Sequence, residues 1–206
     1  MTPPDTDIYQ QTLRRAGFSL VGGADEAGRG ACAGPLVAAA VILGDAPLPG
    51  LNDSKKLTPA RRDVLFDQIW ASAIAVGVAR VEAGECDQLG IQQADLAGLR
   101  QAVLALSPCP DFVVTDGFAV PGLPCPSLGM WKGDQAVACV SAASVIAKVT
   151  RDRIMDEMAL DYPGYGFETH KGYATALHQA AIDRLGPCPQ HRLRYRNVAQ
   201  AMLLPD

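Results

Sequence analysis

Residues 18–43 read FSLVGGADEAGRGACAGPLVAAAVIL, and this stretch decides the fold. Two apolar runs, 18–24 and 34–43, flank a glycine-rich link. Short apolar runs bounded by turn residues read as β-strands. The glycines of the link suit a tight turn that exposes its backbone. The first run ends in Asp25-Glu26. Neighbouring side chains of a strand point to opposite faces, so both acids can serve one site only where the strand ends or bulges. Their place just before Ala27, Gly28, Arg29 and Gly30 allows this.

The pattern continues outward from this pair of strands. Residues 1–17 read as a short leader with an amphipathic turn. Thr58-Pro59 is an N-cap followed by proline at the first helical position, and the helix it opens puts Val64, Leu65 and Ile69 on one side. Residues 73–81 (AIAVGVARV) form a third strand, 92–106 an Ala/Leu-rich helix, and 111–115 (DFVVT) a fourth strand leaving at Asp116-Gly117. Residues 118–133 read as loops with room for one short strand. The longest helix spans 135–160, and a second helix spans 171–185. Between them lies a turn with Pro163, Gly164 and Gly166; Gly186, Pro187 and Pro189 end the pattern. The order predicts an α/β fold: a mixed β-sheet flanked by helices, with a C-terminal helical region. One domain over 1–206 is expected, its core at 18–160 and its helical extension at 161–206.

With 206 residues and 49% hydrophobic composition, the chain can bury a full core. At 19% charged residues it is no coiled coil or disordered chain. The net charge of -4 does not advertise a nucleic-acid binder, but the field at a groove matters more than the sum. Basic residues gather late: 186–200 holds His191, Arg192, Arg194 and Arg196 and no acid. The cysteines at 32, 86, 109, 125, 139 and 188 form no CxxC pair and no zinc spacing, so they read as small buried hydrophobes. The polar N-terminus is unlike a signal peptide, and no apolar stretch is long enough to span a bilayer, so a cytoplasmic setting is expected.

Four acids stand where chemistry is possible. Asp25 and Glu26 end a strand, Asp116 ends another, and Asp134 begins the long helix. Carboxylates brought together repel, and a divalent cation removes that cost. An oxygen-only set suits Mg²⁺ or Mn²⁺. Two such ions can hold a phosphodiester between them, one activating water and the other stabilising the leaving oxygen. Taken singly, each acid also reads as a turn or helix cap.

The strings GADEAGRGACAGPLVAAAVIL, LNDSKKL, TDG, KGDQAVACVSAASVIAKVTRDRIM, YPGYGFETHKGYATALH and GPCPQHR occur in that order. Together they make the chain resemble ribonuclease HII, the bacterial type 2 ribonuclease H, over about residues 22–196. The resemblance implies a ribonuclease H-like fold and a metal site of Asp25, Glu26, Asp116 and Asp134. It also implies hydrolysis on the 5′ side of a ribonucleotide, in RNA–DNA hybrids or at single ribonucleotides in duplex DNA, leaving 3′-hydroxyl and 5′-phosphate ends. Too few residues precede the first strand for the extra N-terminal domain of the type called HIII. Another two-metal nuclease of the same fold would cut all-DNA duplex, and a non-catalytic hybrid binder would show no turnover.

On the substrate side, the resemblance assigns Gly28, Arg29 and Gly30 to the ribonucleotide 2′-hydroxyl, and Tyr173 to the RNA-to-DNA junction. A tyrosine ring stacked on the next deoxyribose would disfavour a second 2′-hydroxyl there. Lys55, Lys56, Ser141, Ser144, Lys148, Arg151 and Lys171 are candidate phosphate contacts. Ser141, Ser144, Lys148 and Arg151 share one helix face, the two serines lining the substrate side and Val145 and Val149 pointing to the core. Arg151 alternatively pairs with Asp152 or Glu157. An extended segment would set Arg192, Arg194 and Arg196 on one side, toward duplex phosphate or solvent. His170, His178 and His191 read as hydrogen-bonded structural groups, as do Tyr162 and Tyr165 as packed ones. A monomer is expected. The apolar tail AQAMLLPD (199–206) leaves a replication-clamp contact open.

Overall fold

The computed structural model describes residues 8–52 and 54–202; the first seven residues of the leader, Asp53 of LNDSKKL and the tail beyond 202 lie outside them. Its elements run α1 (Ile8–Arg15), β1 (Val21–Ala27), β2 (Leu36–Ile42), a 3-10 turn (Ser54–Lys56), α2 (Pro59–Ser72), β3 (Ala75–Val81), α3 (Ala83–Leu89) and α4 (Ile91–Leu104). They continue with β4 (Phe112–Asp116), β5 (Ser127–Met130), α5 (Gly133–Ala136), α6 (Ala138–Asp161), α7 (Phe167–His170), α8 (Ala176–Leu185) and α9 (Arg196–Ala201).

The sheet order is β3-β2-β1-β4-β5. β1, β2 and β3 are antiparallel neighbours, while β4 and β5 run parallel to β1. Every residue of β2 is buried, as a continuous apolar run covered on both faces requires. One face carries α6 and α2, whose Leu65, Ile69, Val145 and Ile146 pack with Val41 and Val114. The other carries α4, whose Ala94, Leu99 and Val103 pack with Ala24, Ala38 and Ala40.

β1 sets how closely α6 can approach. A Cβ at Gly23 would overlap the main chain of Cys139 and Val140, so a glycine there lets helix and strand touch backbone to backbone. The start of α6 is small and buried all round (Ala138, Cys139, Ala142, Ala143), as a helix packed on every side must be.

Several sequence expectations shift. Residues 135–160 are two helices, because Val137 is extended (φ -127°, ψ 120°) and separates α5 from α6. The helix expected over 171–185 begins at Ala176, where the Thr175 side chain caps His178 N–H. Helices α3, α7 and α9 were not foreseen. For α3 a signal existed: Glu82 and Glu85 form a capping box, the Glu85 carboxylate accepting from Glu82 N–H at 2.9 Å. Val64 is exposed rather than grouped with buried Leu65 and Ile69, since it lies on the outer flank of α2. All six cysteines are free thiols, but Cys109 is exposed and Cys125 half-buried, so only four are core groups.

Candidate active site

The parallel register pairs Ala24 of β1 with Thr115 of β4, so Asp25 and Asp116 follow on adjacent strand ends. Ala24 packs on the α4 face; alternation therefore sends Asp25 and Asp116 to the α6 face. Asp134 arrives there from α5, its N–H reaching the Asp116 carboxylate at 3.4 Å. One carboxylate oxygen from each of Asp25, Asp116 and Asp134 lies within 4.8 Å of the others. Open α/β sheets place sites outside the carboxyl ends of parallel strands, and this trio is there.

Glu26 does not join the trio. β1 stays regular through Ala27, so its alternation is unbroken and Glu26 turns toward the α4 face. Its side chain still lines the 310 Å³ cleft that Asp116, Asp134, Arg29, Lys55 and Trp131 also line. The expectation that four acids meet at one point thus resolves into three together and one at the cleft wall.

The electrostatics favour a positive charge at this place. Burial, then the charges of Glu26 and Asp116, hold the Asp25 carboxyl well above its usual range, opposed by Glu26 N–H and the Ser144 hydroxyl. Burial and Asp116 likewise raise Glu26, against Arg29. Lys55 Nζ stands 3.5 Å from Asp134 and is largely exposed. Three clustered carboxylates, two buried and Asp116 half-buried, with no nitrogen or sulfur donor in the set suit a hard divalent cation, so these residues fit Mg²⁺ or Mn²⁺.

The other predicted residues divide by burial. Ser141 is fully buried and donates to the carbonyls of Asp134 (2.6 Å) and Val137 (3.2 Å), bracing the break between α5 and α6. Ser144 lies 2.7 Å from the Ser54 hydroxyl and supports Asp25 from behind. Neither serine lines a substrate surface, because the start of α6 is enclosed on every side. Among the described residues Arg151 forms no salt bridge with Asp152 or Glu157, and its burial leaves no exposed guanidinium for phosphate. It is fully buried and donates to the carbonyls of Pro35 (2.9 Å), Lys171 (2.8 Å) and Ala33 (3.1 Å). Lys148 bridges to Asp152 at 2.6 Å, Lys171 pairs with Asp156, and both line a separate groove. Lys56 donates to Gln135 at 3.1 Å.

Gly28, Arg29, Gly30 and Tyr173 come together at the cleft edge. Gly28 has φ +89°, and a Cβ there would overlap the Arg151 side chain; Gly30 faces the Tyr173 ring, 3.9 Å from where its Cβ would be. The main-chain N–H groups of Cys32 and Ala33 donate to Gly172 O, zipping this loop to the HKGY segment. Tyr173 remains 39% exposed, with the Arg151 guanidinium 5.5 Å from its ring.

The sequence reading missed two residues here. Arg192 is not one of three aligned surface arginines: it is fully buried, donating to the carbonyls of Gly34 (3.0 Å), Gly28 (2.8 Å) and Arg29 (3.2 Å). Only Arg194 and Arg196 are exposed, and Arg196 opens α9. The other is Asp95 on α4, fully buried and 3.3 Å from Arg29 Nε. An acid inside the apolar stripe of a helix was its signal. His170, His178 and His191 are buried and hydrogen-bonded, with His178 and His191 Nε2 atoms 3.1 Å apart; Tyr165 stacks on Phe167. Both match the structural roles expected of them.

The sequence profile of ribonuclease HII matches residues 22–198. The chain belongs to the ribonuclease HII family. A ribonuclease HII from Cutibacterium acnes is 57% identical over 199 residues, covering 95% of this chain and 98% of its own. One from Salinispora arenicola is 51% identical, covering 97% and 78%. Among solved structures, ribonuclease H2 from Pyrococcus horikoshii OT3 is similar at TM-score 0.76 and 26% identity, covering 89% of this chain and 97% of its own. The ribonuclease H-like sheet and the endonuclease class that the sequence motifs implied are both those of this family. No helix of the described residues is long and apolar enough to cross a membrane.

Proposed function

We propose that this metal-dependent endoribonuclease hydrolyses the phosphodiester on the 5′ side of a ribonucleotide, in RNA–DNA hybrids and at single ribonucleotides embedded in duplex DNA, leaving 3′-hydroxyl and 5′-phosphate ends. The observation that carries the reading is the trio Asp25, Asp116 and Asp134, two of them buried and Asp116 half-buried, with oxygens within 4.8 Å beside the carboxyl ends of two parallel strands.

These three would hold Mg²⁺ or Mn²⁺, with Glu26 on the wall of the same cleft. Bound there, divalent ions supply a water nucleophile at neutral pH and offset charge on the leaving oxygen. Ser144 and the Glu26 N–H fix the Asp25 carboxylate, so its oxygens are aimed before substrate arrives. Lys55, beside Asp134, draws the scissile strand to the cleft by its charge. The 28–30 loop presents main-chain groups to the 2′-hydroxyl, and Tyr173 stacks on the following sugar, which must lack that hydroxyl to fit. Expressed in duplex phosphate terms, Lys56, Lys148 and Lys171 contribute charge without base specificity. The enzyme works as a monomer within the cytoplasm.

The test is cleavage of duplex DNA holding one ribonucleotide, with metal added and removed. Asp134→Asn should lower turnover by roughly three orders of magnitude or more while substrate still binds. Near-normal turnover in that variant removes Asp134 from the catalytic set; equal cutting of all-DNA duplex refutes ribonucleotide recognition.

A further inference from the structure

Asp95 sits in the second turn of α4, on the stripe that otherwise buries Ala94, Gly98, Leu99 and Ala102 against β1 and β2. Its carboxylate is wholly shielded from solvent, and neither oxygen makes a hydrogen bond. Its ion partner is Arg29, whose Nε stands 3.3 Å away while its side chain remains 41% exposed. A buried carboxylate without hydrogen bonds costs stability, and an apolar residue of similar size would suit this stripe better. Something other than folding retains the acid.

The surroundings show what it does. Arg29 is held twice, by different parts of the chain. Its carbonyl accepts from Arg192 and from the Tyr195 hydroxyl, which fixes the main chain of the loop. Its guanidinium lies 5.1 Å from the Phe118 ring and against Asp95, which fixes the side chain. Phe118 and Arg29 line the same cleft as Glu26 and Asp134. Without Asp95, the guanidinium would be left to the pull of Glu26, which lines the same cleft.

We propose that Asp95 is a positioning residue: from beneath the sheet it orients the Arg29 guanidinium against Phe118, so that the 28–30 loop meets the ribonucleotide already arranged. The inference rests on Arg29 being a substrate contact. It gives α4, an element with no residue in the catalytic set, a part in substrate recognition.

A double-mutant cycle tests it, using the full chain, Mg²⁺ and duplex DNA with a single ribonucleotide. Asp95→Asn should raise KM roughly tenfold with kcat nearly unchanged, the size expected for loosening one charge-assisted contact. In an Arg29→Ala background the same change should do nothing more. Thermal unfolding of Asp95→Asn should occur no lower than in the parent, since a buried charge has been removed; Asp95→Leu provides the same comparison if the asparagine variant folds poorly. A KM increase that persists after Arg29 is gone overturns the inference, as does an unchanged KM in both Asp95 variants. If Arg29→Ala alone leaves KM untouched, it is the reading of Arg29 as a substrate contact that fails.

Discussion

The Asp25 carboxyl is buried among like charges, and its pKa is raised by burial, then by Glu26 and Asp116. A raised folded-state value means the ionised form costs stability. The group's favourable contribution is present below the unfolded value near 3.8 and is lost as pH rises through the raised folded one. Above the unfolded value the metal-free protein therefore carries a cost at this group, and a bound cation relieves it. Mg²⁺ or Mn²⁺ should raise the unfolding temperature of the parent, and Asp25→Asn should stabilise the metal-free protein while shrinking that metal-induced rise. Calorimetry with and without metal decides; an undiminished rise in the variant would place the ion elsewhere. Tyr173 permits a second residue-scale prediction. Its ring is 39% exposed beside Gly30, so Tyr173→Ala should alter junction cleavage more than stability. The comparison is a single-ribonucleotide duplex against a uniform RNA–DNA hybrid, and equal proportional losses on both would rule the junction role out.

At the scale of elements, the loop after β1 has no regular structure of its own and is shaped by two buried arginines. Arg151 reaches it from α6 and Arg192 from the segment before α9, each donating to main-chain carbonyls of residues 28–35. Such carbonyls cannot reach water, so the guanidinium groups satisfy what no strand or helix does. Arg151 also holds Lys171 O, which ties the loop to the segment bearing Tyr173. Replacing Arg151 by Leu should cost about 3 kcal/mol or more, because three charge-assisted bonds vanish and their acceptors stay buried. Denaturant unfolding measures that loss. The salt dependence of substrate binding should stay as in the parent; a slope reduced by about one would mean that Arg151 touches phosphate after all.

At the scale of the whole molecule, the C-terminal helices dock on the sheet domain through a buried group of three imidazoles. His178 Nδ1 lies 3.0 Å from Tyr173 O, Gly172 N–H donates to His170 Nδ1, and the Nε2 atoms of His178 and His191 lie 3.1 Å apart. Burial pushes His178 down from 6.5 to about 4, with His170 and His191 adding to the effect and Tyr173 O opposing it. The depressed value means stability is intact above the unfolded pKa of 6.5 and is lost as pH falls toward about 4. Denaturant midpoints between those limits should fall more steeply in the parent than in a His178→Asn variant. Identical slopes would show that this cluster does not couple the docking of the C-terminal part to pH.

Local patterning carried much of the architecture. The apolar run of β2, the Thr58-Pro59 start of α2 and the helix along α4 were legible because propensity and burial agree there, and the motif strings identified the family. What the sequence could not decide was direction. A one-dimensional pattern does not say that β1 keeps its alternation to Ala27, so it could not send Asp25 to one face and Glu26 to the other. Arginines were read as surface charges because a guanidinium is rarely buried; only a loop packed from both sides supplies enough carbonyls to satisfy Arg151 and Arg192 inside. Sequence alone determined which side chains have the chemistry a cation site needs, since that depends on their identity. Tertiary packing decided which of them face the cleft and which hold its walls, since that depends on neighbours far along the chain.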